Sequence, residues 1–244
     1  HLMIKKTLNQ NAKYVQKLID LINLDFTFSN QPNNRFKVTK NFSEPNDQKN
    51  KNKTKALSEL KNQINSIKNC NLKDNSKNLI MGDGDINSPI MIIGESPGSE
   101  EDNLGSSFEG DVGALLNKML IAIKINRKSI YTTYAVNFRP PQDRKPTSQE
   151  IRRYSIFLKE HISTIDPKII ILMGNTAMTA VTGSNDKISN QRGKWKEIIL
   201  KNKTYPIMIT FNPSYLIRFP ENKKYSWNDL KKIRKKIEDL KIQI

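Results

Sequence analysis

Four short runs constrain this chain more than any other feature: PIMII at 89–93, SIYTTYAV at 129–136, KIIILM at 168–173 and YPIMITF at 205–211. Each is apolar or rich in β-branched and aromatic residues, and each predicts a strand. Helical patterns lie between them. Residues 112–124 place Val112, Leu115, Leu116, Met119, Leu120 and Ile123 on one face. A helix follows Pro146, with Thr147 or Ser148 to cap it, Glu150 near its start, and Ile151, Tyr154, Leu158 and Ile162 inward. NTAMTAVTG forms another, ended by Gly183. Strands alternating with helices predict an α/β fold, three layers (αβα) around a central, mostly parallel four-stranded sheet.

The flanks read differently. Residues 4–24 carry a helical stripe, and from Ser29 to about Thr54 the chain is polar and rich in Asn and Lys, with Pro32 and Pro45. The predicted organisation is a helical arm over 1–28, a flexible linker over 29–55 and a single domain over 56–244, ending in a basic amphipathic helix over 223–242. No repeat is visible, and no stretch has the ~18 consecutive apolar residues needed to span a bilayer, so no membrane partner is expected.

With 41 Lys and Arg against 24 Asp and Glu, the formal charge is +17, which suggests a polyanionic partner, most simply nucleic acid. The abundance of Lys and Asn also fits the codon bias of an AT-rich genome, so charge alone leaves the partner open. The single cysteine, Cys70, excludes an internal disulfide and an all-cysteine metal site, and makes the cytoplasm the expected location. His161 lies on the helix after Pro146, outside every motif, and reads as an ordinary surface or boundary residue.

In an open parallel sheet, ligands bind beyond the carboxyl ends of the strands. Three strand ends here run into proline-fixed loops: Gly94-Glu95-Ser96-Pro97-Gly98, Asn137-Phe138-Arg139-Pro140-Pro141, and Asn212-Pro213-Ser214-Tyr215-Leu216-Ile217-Arg218. Pro restricts φ, so such loops hold side chains firmly over one crevice. Neither a Gly-rich dinucleotide fingerprint nor a phosphate-loop lysine motif is present, which argues against a generic nucleotide-binding domain.

IIGESPGSEEDNLGSSFEG, YAVNFRPPQDRKPTSQEI, ISNQRGKW and NPSYLIRFPENKKYSWNDL occur in the order and spacing of the family 4 uracil-DNA glycosylases, which this chain resembles from about Lys68 to Lys231. The resemblance implies DNA as partner, a monomer, and removal of uracil or another deaminated base by flipping the nucleotide into a pocket. Carried over position by position, Glu95 orients or activates the attacking water, and Asn212 stands where the family has a histidine. Ser96, Phe108 and Tyr134 belong to the base pocket, with Phe108 stacking on the base. Pro97, Gly98, Pro213 and Ser214 shape loops against the DNA backbone, and Arg139 and Arg218 meet phosphates. Three of these have a structural alternative: Glu95 as a turn cap, Phe108 as a core residue, Arg218 as a solvated charge.

Three departures from the family pattern bear on function. Asn212 offers an uncharged amide in place of an imidazole. Tyr134 replaces the Asn that reads the uracil edge. The family's iron–sulfur cluster needs four cysteines, and the matching positions are Ile67, Cys70, Phe138 and Tyr154, so no cluster and no other metal is expected. Two readings stay open: a glycosylase of base-excision repair, and a catalytically impaired DNA-binding homologue that keeps the fold.

Overall fold

The computed structural model describes residues 45–243, which lie within one compact unit, Ser43–Ile244. The expected arm at 1–28 and linker residues 29–44 lie outside the described residues. Residues 45–55, expected in the linker, are helical: they form the first half of α1 (Pro45–Asn65), which contacts the later helix Ser148–Ile165. Leu60 and Ile64 of α1 are buried, so a polar stretch is drawn into helix by the apolar stripe that follows it.

After the short α2 (Asn71–Asp74), the chain supplies β1 (Asp83–Gly84), β2 (Ile90–Gly94), α3 (Ser99–Leu104), α4 (Gly110–Ala122) and β3 (Tyr131–Tyr134). It continues through α5 (Ser148–Ile165), β4 (Ile169–Met173), α6 (Asn175–Thr182), α7 (Ile188–Gln191), β5 (Trp195–Leu200), β6 (Lys203–Thr210), α8 (Pro213–Arg218) and α9 (Lys223–Asp239). Among the described residues the sheet has six strands, in the order β1-β3-β2-β4-β6-β5. The four predicted strands are β2, β3, β4 and β6, all mutually parallel where they pair. The two additional strands are antiparallel edges. β1 is a two-residue bridge, and β5 turns back onto β6 through Lys201 and Asn202, both left-handed.

The pleat divides the core in two. Ile90, Ile92, Ile169, Ile171 and Met208 point to one face, where α4 and α9 cover them with Leu116, Leu120, Leu230 and Ile233. Met91, Ile93, Ile170, Leu172 and Ile207 point to the other, beneath Leu158 and Ile162 of α5 and Met178 and Val181 of α6. The result is the three-layer α/β arrangement expected from the sequence. Thr147 caps α5 reciprocally with Glu150: the Glu150 amide donates to Thr147 Oγ1 at 3.2 Å, and the Thr147 amide to Glu150 Oε2 at 2.7 Å.

His161 departs from its expected surface position. It is 2% exposed, and its Nε2 lies 2.9 Å from the Tyr131 hydroxyl beneath the sheet. Burial pushes its pKa down to about 3.

Candidate active site

The parallel strands β2, β4 and β6 end on the same side of the sheet, and their exits build a cleft. Glu95 follows β2 directly. Its Oε1 accepts the Thr176 amide at 3.0 Å, in the first turn of α6, where unpaired N–H groups favour a carboxylate. Gly174, between β4 and α6, makes this approach possible: a Cβ there would lie 2.4 Å from the Glu95 carboxylate carbon, and φ is +104°. The Glu95 side chain thus spans from one strand end to the next, and its second carboxylate oxygen is left for another partner.

Asn212 leaves β6 as the cap of α8 and is 5% exposed. Its Oδ1 accepts the Ser214 amide at 3.0 Å and its Nδ2 donates to the Met173 carbonyl at 3.2 Å. One partner is a donor and the other an acceptor, so they fix the amide's orientation. Nδ2 carries two hydrogens, and that bond uses one.

Two cavities meet at these residues. The smaller, about 380 Å³, is lined by Glu95, Ser96, Pro97, Gly98, Tyr134, Asn212, Ser214 and Arg218, together with Lys145 and neighbours from the 143–146 loop. The larger, about 610 Å³, shares Glu95, Lys145, Asn212 and Arg218 with it and adds Lys187, Arg192, Phe211, Tyr215 and Tyr225. Among the described residues, Glu95 is the single carboxylate on the larger cavity's wall, facing four cationic side chains.

Phe108 and Arg139 line neither cavity, and Tyr134 lines the smaller one with its hydroxyl already bonded. Phe108 is 4% exposed; its ring stacks on Tyr134 with centroids 4.9 Å apart. Tyr134 is fully engaged. Its hydroxyl accepts the Phe108 amide at 2.9 Å and donates to Glu101 Oε1 at 3.0 Å. Burial first, and the Glu101 carboxylate next, push this phenol well above its ordinary range, so it stays protonated. Arg139 pairs with Asp143, on the wall of the smaller cavity, through two bonds of 2.7 and 2.9 Å. Pro213 is buried at the first position of α8, where its missing N–H costs no helical bond.

Residues that lie in or near the quoted motifs but were assigned no role complete the walls. Lys145 stands at the junction of the two cavities. Arg192 is held by Asp229, which is 0% exposed: Nε donates to Oδ2 at 3.0 Å, Nη2 pairs with Oδ1, and Thr210 Oγ1 donates to the same carboxylate at 2.8 Å. Burial pushes the Asp229 carboxyl up, and these bonds pull against it. The sequence does carry a signal for Asp229, an acid at the spacing of the apolar face of α9, four residues before Ile233.

The model of the uracil DNA glycosylase superfamily matches residues 81–234, a span that holds both cavities. The chain belongs to that superfamily. It is 36% identical over 154 residues to the type-4 uracil-DNA glycosylase of Thermotoga maritima, covering 63% of this chain and 79% of that protein. The type-4 uracil-DNA glycosylase of Sulfurisphaera tokodaii is 34% identical over 187 residues, 73% of this chain and 84% of its own length. That of Archaeoglobus fulgidus is 29% identical over 182 residues, 73% and 92% respectively. Among the described residues, no helix is long and apolar enough to cross a membrane.

The expected absence of a cofactor is corrected by these relatives. The resemblance to the type-4 family brings an iron–sulfur cluster with it, so a cofactor-free chain is not what the comparisons support. The residues at the four ligand positions nonetheless do not fit a four-thiolate site. Ile67, Cys70, Phe138 and Tyr154 share one apolar cluster, and Cys70 Sγ lies 3.2 Å from the Tyr154 hydroxyl. Among the described residues no group of three His, Cys, Asp or Glu gathers as metal ligands.

Proposed function

We propose that the chain hydrolyses the N-glycosidic bond of uracil, or another deaminated base, in DNA, as in base-excision repair. The observation that carries this reading is the convergence of Glu95 and Asn212 on one cleft from strand ends more than a hundred positions apart. The names of the relatives supply the substrate class. A stacked base is out of reach of any such cleft, so the nucleotide must be extruded, at a cost of a few kcal/mol of unstacking.

In this reading the Glu95 oxygen not spent on Thr176 accepts a hydrogen from water. The water oxygen bonds to the sugar C1′ as the C1′–N bond breaks, and the electron pair of that bond leaves with the base. The water's proton passes to the carboxylate. The departing base is an anion, and the free hydrogen on Asn212 Nδ2 is a fixed donor for it. An uncharged amide stabilises an anion less than a charged imidazolium does, which predicts slow turnover. Arg218 and Lys145, at the junction of the cavities, meet the flanking phosphates.

The second reading, a DNA-binding homologue without turnover, is favoured by Phe108, whose ring is buried and stacked on Tyr134 and so is closed to a base. One assay separates the two. Release of uracil, hypoxanthine or xanthine is measured from single- and double-stranded oligonucleotides, with Glu95→Ala as control. Release that disappears in Glu95→Ala supports the glycosylase. Absence of release at high enzyme excess, with DNA binding intact in both proteins, refutes it and supports the second reading.

A further inference from the structure

The larger cavity is not needed to hold the extruded base, which has the smaller one beside Glu95, Ser96 and Tyr134. Yet it is built with care. Arg192 is immobilised in its wall by a carboxylate taken wholly out of water, an arrangement that stabilises a fold poorly compared with apolar packing. Gly193 clears the space for it: a Cβ there would lie 2.4 Å from Asp229 Oδ1. The fixed guanidinium sits 5.4 Å from the Phe211 ring centre and 5.3 Å from that of Tyr225. Phe211 and Tyr215 stack tilted with centroids 4.9 Å apart, and Tyr225 is 42% exposed at the rim. Rings for a base and cations for a phosphate thus line one hollow.

From this arrangement we infer that the larger cavity binds the unpaired nucleotide next to the one held at Glu95, making single-stranded DNA the preferred form of the substrate. The inference rests on the reading that a DNA strand occupies the Glu95 cleft. A volume of about 610 Å³ lies within the range of ~300–1,000 Å³ typical of cavities that take ligands of this size. The four shared residues make the two hollows neighbours along one path, with Arg218 and Lys145 where the linking phosphate passes. A paired base offers a protein only its edges, since its faces are stacked on its neighbours. Aromatic walls are useful to a base whose face is free. Lys187, also on the wall and exposed, adds charge for the phosphate beyond.

The test uses the full chain and a uracil-free oligothymidylate of a dozen nucleotides, compared with a hairpin duplex, with affinity read by fluorescence anisotropy over a salt series. Tyr225→Ala removes an exposed ring and is expected to weaken single-strand binding about 5- to 150-fold, leaving the duplex unchanged. Lys187→Ala is expected to lower the single-strand salt slope by about 0.7, the loss of one phosphate contact. Unchanged single-strand affinity in Tyr225→Ala together with an unchanged slope in Lys187→Ala overturns the inference, and so does equal weakening on both forms of DNA. Base release is measured separately on the same proteins. Weakened binding without release leaves the second nucleotide site standing and removes the glycosylase reading; release with unaltered binding does the reverse.

Discussion

His161 should set the acid limit of this fold. Its imidazole is buried between α5 and the sheet, beside the Tyr131 hydroxyl, and burial lowers its pKa from 6.5 to about 3. The unfolded chain therefore binds a proton that the folded chain refuses throughout that interval. The sign follows: the contribution is fully present above the unfolded value and is lost as pH falls toward the folded one. At pH 5 the folded state forfeits about 2 kcal/mol relative to neutrality, and at pH 4 about 3 kcal/mol, by linkage. Those are large fractions of a typical domain's ~5–15 kcal/mol. The assay is urea unfolding of wild type and His161→Gln at several pH values from 7 to 4. Glutamine keeps a neutral acceptor for Tyr131 and has nothing to titrate. The variant is expected to start less stable and to lose about 2 kcal/mol less than wild type between pH 7 and pH 5. Parallel pH profiles for the two proteins would refute the reasoning.

Three further outcomes follow from the geometry. Gly174→Ala puts a side chain where φ is +104° and the Glu95 carboxylate carbon would be 2.4 Å away. It should cost about 1–3 kcal/mol of stability and drop base release about 100-fold, with DNA affinity retained, as measured by urea unfolding and single-turnover assays. Glu101→Ala strands the Tyr134 hydroxyl together with the Gly98 and Glu109 amides, all of which this carboxylate accepts. A loss of about 3 kcal/mol is expected in denaturant unfolding. Arg139→Ala breaks only an exposed pair with Asp143, so stability should move by less than about 1 kcal/mol, and the salt slope of DNA binding should stay constant while Arg218→Ala lowers it.

The parallel core of the sheet was legible because its strands are buried on both faces, and such strands announce themselves as apolar runs. β5 was not, because WKEIIL is a half-exposed edge mixing charges with apolar residues; its one clear signal is the left-handed Lys201-Asn202 pair. The His161 misreading was avoidable. It lies seven residues after Tyr154 and three after Leu158, both buried, so helical spacing places it on the inward face of α5. Motif order located Glu95, Asn212 and Arg218 on one cleft, since loops at parallel strand ends must gather there. It included Arg192 in the run ISNQRGKW without giving it a role, because its place in the wall depends on Asp229, 37 residues away, reaching past Gly193. Nor could it show that Phe108 and Tyr134 would satisfy each other.

That last pairing bears on selectivity. Gly94 lies directly beneath both rings: a Cβ there would fall 2.7 Å from Tyr134 and 2.8 Å from Phe108. The glycine that ends β2 therefore serves the ring stack as much as the turn into Glu95. With the phenol committed to Glu101 and the Phe108 amide, Tyr134 has no donor and acceptor pair left to read a base edge. In the proposed glycosylase, discrimination among bases then falls to the remaining wall of the smaller cavity, whose other uncharged polar side chains are those of Ser96, Ser99, Thr176, Asn212 and Ser214. A Tyr134→Asn substitution removes a ring from that wall and supplies an amide in its place. It should enlarge the cavity, leave Phe108 uncovered, and raise release of uracil relative to hypoxanthine, measured as a ratio of single-turnover rates on matched oligonucleotides. A ratio that stays the same while the protein remains folded would mean that Tyr134 has no part in choosing the base.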